Sequence, residues 1–99
     1  MPYLIETFDK KDHQAVRQAH RQAHLVFLEQ NKKLLLACGA KLLDDGTDAG
    51  GGIYLVDVDT REEAQALIDA DPFHKDGNLF ERVIITRWRK AYLDGECYI

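Results

Sequence analysis

Apolar and polar positions along the chain fall into two alternating rhythms, one suited to strands and one to helices. Tyr3-Leu4-Ile5-Glu6-Thr7-Phe8 is β-rich and runs into Asp9-Lys10-Lys11-Asp12, a polar turn that can also supply a helix N-cap. A helical pattern free of Gly and Pro then extends from about His13 to Asn31 and is the longest predicted element. Within it Val16, Ala19, Ala23, Val26 and Phe27 form an apolar sector expected to face the core. At roughly 100° per residue, His13, Arg17, His20 and His24 share a narrow arc beside that sector.

Leu34 to Leu43 is a largely apolar run broken by Gly39, where a bulge or a close backbone approach is natural; it is predicted as the second strand. The acidic, glycine-rich stretch from Asp44 to Gly52 is predicted as a loop, and Ile53 to Val58 as a third strand pairing with the second. Thr60-Arg61-Glu62-Glu63 has the form of a capping box ahead of the periodic Ala64, Leu67 and Ile68, so a shorter helix starts there. It must stop before Pro72, because a residue preceding proline is pushed out of helical torsions. Leu79 to Trp88 is the fourth predicted strand, followed by a tail.

The order β-α-β-β-α-β predicts an α+β, ferredoxin-like fold: a four-stranded antiparallel sheet with two helices on one face. The other face would keep its apolar residues exposed unless a second subunit packs there, which makes a homodimer the favoured assembly. At 99 residues the chain has one modest core and would gain from such a partner.

The net charge of −4 argues against a nucleic-acid partner, since phosphate neutralisation needs a concentrated basic surface and Arg87-Trp88-Arg89-Lys90 is short. No apolar run approaches membrane-span length and the first residues lack a signal-peptide pattern, so no membrane association and a cytoplasmic location are expected. Cys38 and Cys97 lie far apart without a CxxC motif; Cys38 reads as a small buried hydrophobe and Cys97 as a tail residue. The chain has no serine, which excludes a serine nucleophile.

His20 and His24 have metal-ligand spacing, yet the Glu of an HExxH motif is missing and His13 is too far along the axis to share an ion with His24, so no metal is expected. Asp44-Asp45-Gly46-Thr47-Asp48 lacks the later glutamate of a calcium loop, and Gly50-Gly51-Gly52 lacks the Lys of a phosphate loop. Each histidine could equally solvate the helix margin, Asp71 could simply bond local backbone at a turn, and Phe73, Tyr54 and Trp88 could be core or pocket lining.

Several of these residues fall into a familiar order. Arg17 and His24-Leu25 in the first helix, Gly39, the Asp45-Gly46 loop, Glu62-Glu63-Ala64, and above all Asp71-Pro72-Phe73 followed by Gly77 and a strand ending at Trp88 resemble the YciI-like (YCII-related) family. The resemblance implies residues 1–90 as a YciI-like domain and 91–99 as a C-terminal tail, with assembly as in the dimeric α+β barrels that include muconolactone isomerase. It also implies a pocket in which His24 and Asp71 form an acid/base pair. One characterised branch of the family is a dehydrochlorinase acting on a chlorinated hydroxyhydroquinone.

A carboxylate holding one imidazole nitrogen makes the other a better base, and Arg17 could hold developing negative charge two turns before His24. The expected function is therefore a lyase- or isomerase-type proton transfer by His24 and Asp71, needing no cofactor. Its substrate would be a small anionic or phenolic metabolite, with Arg17, His20 and Phe73 in the binding site. A non-catalytic binding or sensing module using the same pocket is the alternative.

Overall fold

The computed structural model describes residues 1–99. Strands β1 (Tyr3–Asp9), β2 (Leu35–Leu42), β3 (Asp48–Val56) and β4 (Phe80–Arg87) alternate with helices α1 (Gln14–Gln30) and α2 (Arg61–Ala70) in the anticipated order. They form one antiparallel sheet in the order β2-β3-β1-β4, the ferredoxin-like arrangement. No helix is long and apolar enough to cross a membrane.

Alternation along the strands assigns the faces. Tyr3, Ile5 and Thr7 of β1 are buried together with Tyr54 and Val56 of β3, and α2 closes over them with Ala64 and Ile68. Phe73, Leu79 and Phe80 complete this core. The opposite face carries Leu4, Leu55 and Ile84, each half-buried, and Ile53, which is exposed.

Local signals work as read at α2. Thr60 accepts a hydrogen bond from the Glu63 N–H at 3.1 Å, while the Glu63 carboxylate takes the Thr60 hydroxyl rather than the backbone N–H of a full capping box. Asp71, ahead of Pro72, caps the other end with extended torsions.

The glycine run departs from its expected loop. Only Leu43 to Thr47 turns, and β3 already begins at Asp48, so Gly50, Gly51 and Gly52 lie inside the strand. Gly51 has φ +145°, and a Cβ there would collide with the Thr7 carbonyl oxygen. A Cβ on Gly52 would lie 2.9 Å from the Gly39 carbonyl oxygen, so the glycines are a device for close strand approach. The register shifts of β2 fall on either side of Gly39, between Leu35 and Ala37 and between Ala40 and Leu42.

The tail also has structure of its own. Strands β5 (Tyr92–Leu93) and β6 (Glu96–Cys97) form a small hairpin about Asp94-Gly95, both at positive φ, the Asp-Gly chemistry of a two-residue hairpin turn.

The largest correction concerns the rotation of α1. Ala19, Ala23 and Val26 face solvent; Val16, Phe27 and Leu28 are the partly buried apolar positions, and no residue of the helix is fully buried. The half-buried side chains of Arg17, His20 and His24 lie on the inward side instead. Leaving a buried carboxylate without its partner costs about 3–5 kcal/mol, whereas half-exposing one valine forfeits about 1 kcal/mol. The contacts of Arg17 and His24 with carboxylates below the helix therefore outweigh the apolar sector.

Candidate functional site

A cavity of about 360 Å³ separates α1 from the sheet. The helix roofs it with Arg17, Gln18, Arg21, His24, Leu25 and Leu28; the strands floor it with Thr7, Cys38, Gly39, Ala40, Gly52 and Tyr54, and Phe73 and Asp48 complete the lining. The floor is flat because Ala40 pairs with Gly52 and neither side chain rises far from the sheet.

His24 lies on the wall of this cavity. Its Nδ1 lies 2.9 Å from both Oδ1 and Oδ2 of Asp71, across 47 residues of sequence. Asp71 is fully buried and is held on all sides: the Phe73 N–H donates to Oδ1 at 2.9 Å, and the Tyr54 hydroxyl donates to Oδ2 at 2.7 Å. Its bond to the Phe73 N–H is the local turn contact weighed as the plain alternative, so Asp71 ends a helix and holds a histidine at once.

An ionised carboxylate only accepts, so the proton of the neutral imidazole sits on Nδ1. That leaves Nε2, which has no protein hydrogen-bond partner, as a bare acceptor on a cavity-lining ring. Phe73 stacks on the imidazole with centroids 3.9 Å apart and planes 16° apart, and Tyr54 meets it edge-on at 6.3 Å. These contacts fix the ring and exclude water from one side of it.

Arg17 lines the cavity but is not a free cation. Asp9 takes its Nε at 2.7 Å and Nη2 at 3.1 Å, and the guanidinium lies 4.7 Å from the Phe73 ring centre. Burial by itself would lower the Arg17 pKa; the hydrogen bonds and charge of Asp9 override this and move it up. His20 is half-buried on the same helical face but is not among the residues lining the cavity.

Reading the sequence alone missed Arg21, one helical turn beyond Arg17. It lines the cavity and makes no ion pair, leaving a cation available to a ligand, and the i, i+4 spacing from Arg17 was the signal that could have found it. The Tyr54–Asp71 contact was not legible at all, since nothing local links the two.

Cys38 corrects a second expectation: it is solvent-accessible and lines the cavity rather than filling the core. Desolvation of its thiol, reinforced by Asp71, pushes its pKa up to about 11, whereas a hydrogen bond to the Ile99 carbonyl and one with Tyr92 draw that of exposed Cys97 down. Because only the thiolate reacts, iodoacetamide at pH 8 is expected to label Cys97 well before Cys38, and Cys38 to catch up as the pH approaches 11. Peptide mapping by mass spectrometry reads both rates, and equal labelling at pH 8 would contradict the assigned environment of Cys38.

The site is thus a cavity between the first helix and the sheet of a small ferredoxin-like α+β domain, lined by an imidazole that a buried carboxylate backs. The chain belongs to the YCII-related domain family, whose model matches residues 1–89. It is 31% identical over 99 residues to Protein YciI of Escherichia coli O6:H1 and equally to that of Shigella flexneri, matches that cover 93% of this chain and all of each relative. Among solved structures it resembles 5-chloro-2-hydroxyhydroquinone dehydrochlorinase (TftG) from Burkholderia phenoliruptrix AC1100, in complex with 2,5-dihydroxybenzoquinone. That likeness has a TM-score of 0.79 and 30% identity, over 90% of this chain and 94% of the other.

Proposed function

We propose that the chain is a cofactor-independent enzyme of lyase or isomerase type, acting on a small phenolic or anionic metabolite. The observation that carries this reading is the free Nε2 of an imidazole whose Nδ1 is held at 2.9 Å by a buried carboxylate, on the wall of a cavity of ligand size.

Nε2 takes a proton from a hydroxyl or an acidic C–H of the substrate, and Asp71 stabilises the imidazolium that results. The electron pair released onto the substrate then either expels a leaving group, an elimination, or moves within the substrate and recaptures the proton at another atom, an isomerisation. Arg21 and the unpaired edge of Arg17 face the negative charge that develops. The flat floor at Ala40 and Gly52 suits a planar substrate. The relative that removes chloride from a hydroxyhydroquinone supports this class of chemistry, and the substrate of this chain is tested within it.

The test is a panel of hydroxyhydroquinones with and without chlorine, hydroxybenzoquinones, aromatic acids and lactones, followed by thermal shift, by absorbance and by chloride release. At least one compound should both raise the melting temperature and be converted. If none does either, the reading fails.

The site is proposed to work within a homodimer formed through the helix-free face of the sheet. Leu4, Ile53, Leu55 and Ile84 leave on that face an apolar surface of the kind that a second copy covers. Sedimentation at micromolar concentration should give twice the 11.3 kDa chain mass, and Leu55→Glu should shift the species toward monomer. A monomer at that concentration would remove the assembly from the proposal.

A further inference from the structure

The Tyr54 hydroxyl donates to Oδ2 of Asp71 at 2.7 Å, and its ring meets the imidazole that the carboxylate steadies edge-on. We infer that Tyr54 is a positioning residue that acts on His24 through Asp71, clamping the carboxylate so that both of its oxygens face Nδ1. The inference rests on the proton-transfer reading of the same site and deepens it.

The geometry is specific. Tyr54 is 4% exposed and its hydroxyl has one protein partner, Oδ2 of Asp71 at 2.7 Å; the Phe73 N–H holds Oδ1 at 2.9 Å. With one donor on each oxygen, the carboxylate cannot turn about its Cβ–Cγ bond without breaking a buried hydrogen bond. It therefore presents both oxygens to Nδ1 at the same 2.9 Å instead of pointing one of them at it. A shared contact of this kind is longer and less directed than a single linear N–H···O bond. It holds the ring in the Nδ1–H form with Nε2 bare, yet takes only part of the carboxylate's charge.

The tyrosine is also suited to permanent donation. Burial, with the charge and hydrogen bond of Asp71, pushes its phenol far above the ordinary range, so the hydroxyl stays protonated. It reaches Asp71 from β3 while Phe73 reaches it from the chain after α2, so the carboxylate is tied to two independently fixed parts of the fold. The other groups around the pair hold different partners or none: Arg17 is bonded to Asp9, and Arg21, Asp48 and Cys38 line the cavity without a bond to Asp71.

Tyr54→Phe removes the oxygen and keeps the ring. Oδ2 is then free, the carboxylate relaxes toward one shorter, more linear contact with Nδ1, and its charge is no longer shared with a phenol. Both effects have the same sign. The Nδ1 proton of His24, observed by NMR in ¹⁵N-histidine-labelled protein, should move downfield in the variant. Global 3-fluorotyrosine labelling of the unsubstituted chain makes the phenol a stronger donor and should move that proton upfield. The other tyrosines do not interfere, since none of Tyr3, Tyr92 and Tyr98 is bonded to His24 or Asp71.

A Nδ1 proton that stays in place in both proteins, or moves the opposite way, overturns the role of Tyr54. The spectroscopic result stands whether or not a substrate is in hand. A loss of activity on replacing His24, with no NMR response to Tyr54→Phe, would leave the proton-transfer reading intact and remove this inference alone.

Discussion

Asp71→Ala should lower the stability of this chain by about 3–5 kcal/mol. The residue is fully buried and accepts from the Tyr54 hydroxyl, the Phe73 N–H and His24. Alanine leaves all three donors without an acceptor, two of them in residues that are themselves buried, and each unmade bond costs about 1–3 kcal/mol. In a domain of this size 1 kcal/mol corresponds to about 4–8 °C, so the melting temperature should fall by more than about 12 °C. Asp71→Asn keeps a carbonyl oxygen for one donor and should lose about half as much. Differential scanning calorimetry at neutral pH separates the two variants. A loss below about 1 kcal/mol for the alanine variant would mean that water reaches the site from the cavity and replaces the carboxylate.

Replacing His24 by Ala should reduce kcat at least a hundredfold on any substrate found in the panel, with little change in KM. Proton transfer by a positioned side chain is worth about 10²–10⁴ in rate, and the cavity holds no second imidazole. Cys38 stays protonated at neutral pH, Tyr54 is committed to Asp71, and Arg17 and Arg21 are cations. The variant should fold, because the residue lies on a helix without fully buried residues, although its side chain is only 12% exposed and its loss leaves Asp71 one donor short. Added imidazole should restore part of the rate by entering the space the side chain leaves. A kcat within threefold of the unsubstituted protein would sink the acid/base reading and favour a pocket that binds without turnover.

Both results turn on a pair of residues that the sequence names without joining. His24 and Asp71 each had a plain local explanation, one as a helix-margin histidine and the other as a turn residue. The resemblance to the YciI-like family, and not the spacing, singled them out together. Arg17 shows the reverse: its place on the helix face was readable, but its partner Asp9 was not, so its charge is more committed than its position suggested. The apolar sector of α1 misled for a physical reason. Alanine and valine at the exposed positions mark helix-forming tolerance as much as burial, and buried carboxylates below the helix decided which side turned inward.

The sequence by itself determined the order of elements, the cap at Thr60 and the stop before Pro72, because these depend on torsions and hydrogen bonds within a few residues. The extension of β3 through its glycines, the rotation of α1 and the joining of Tyr54, Asp71 and His24 were decided only by the tertiary structure. Each of these depends on an atom brought near from far along the chain. The Thr7 carbonyl excludes a side chain at Gly51, and one buried carboxylate selects its donors from α1, from β3 and from its own turn.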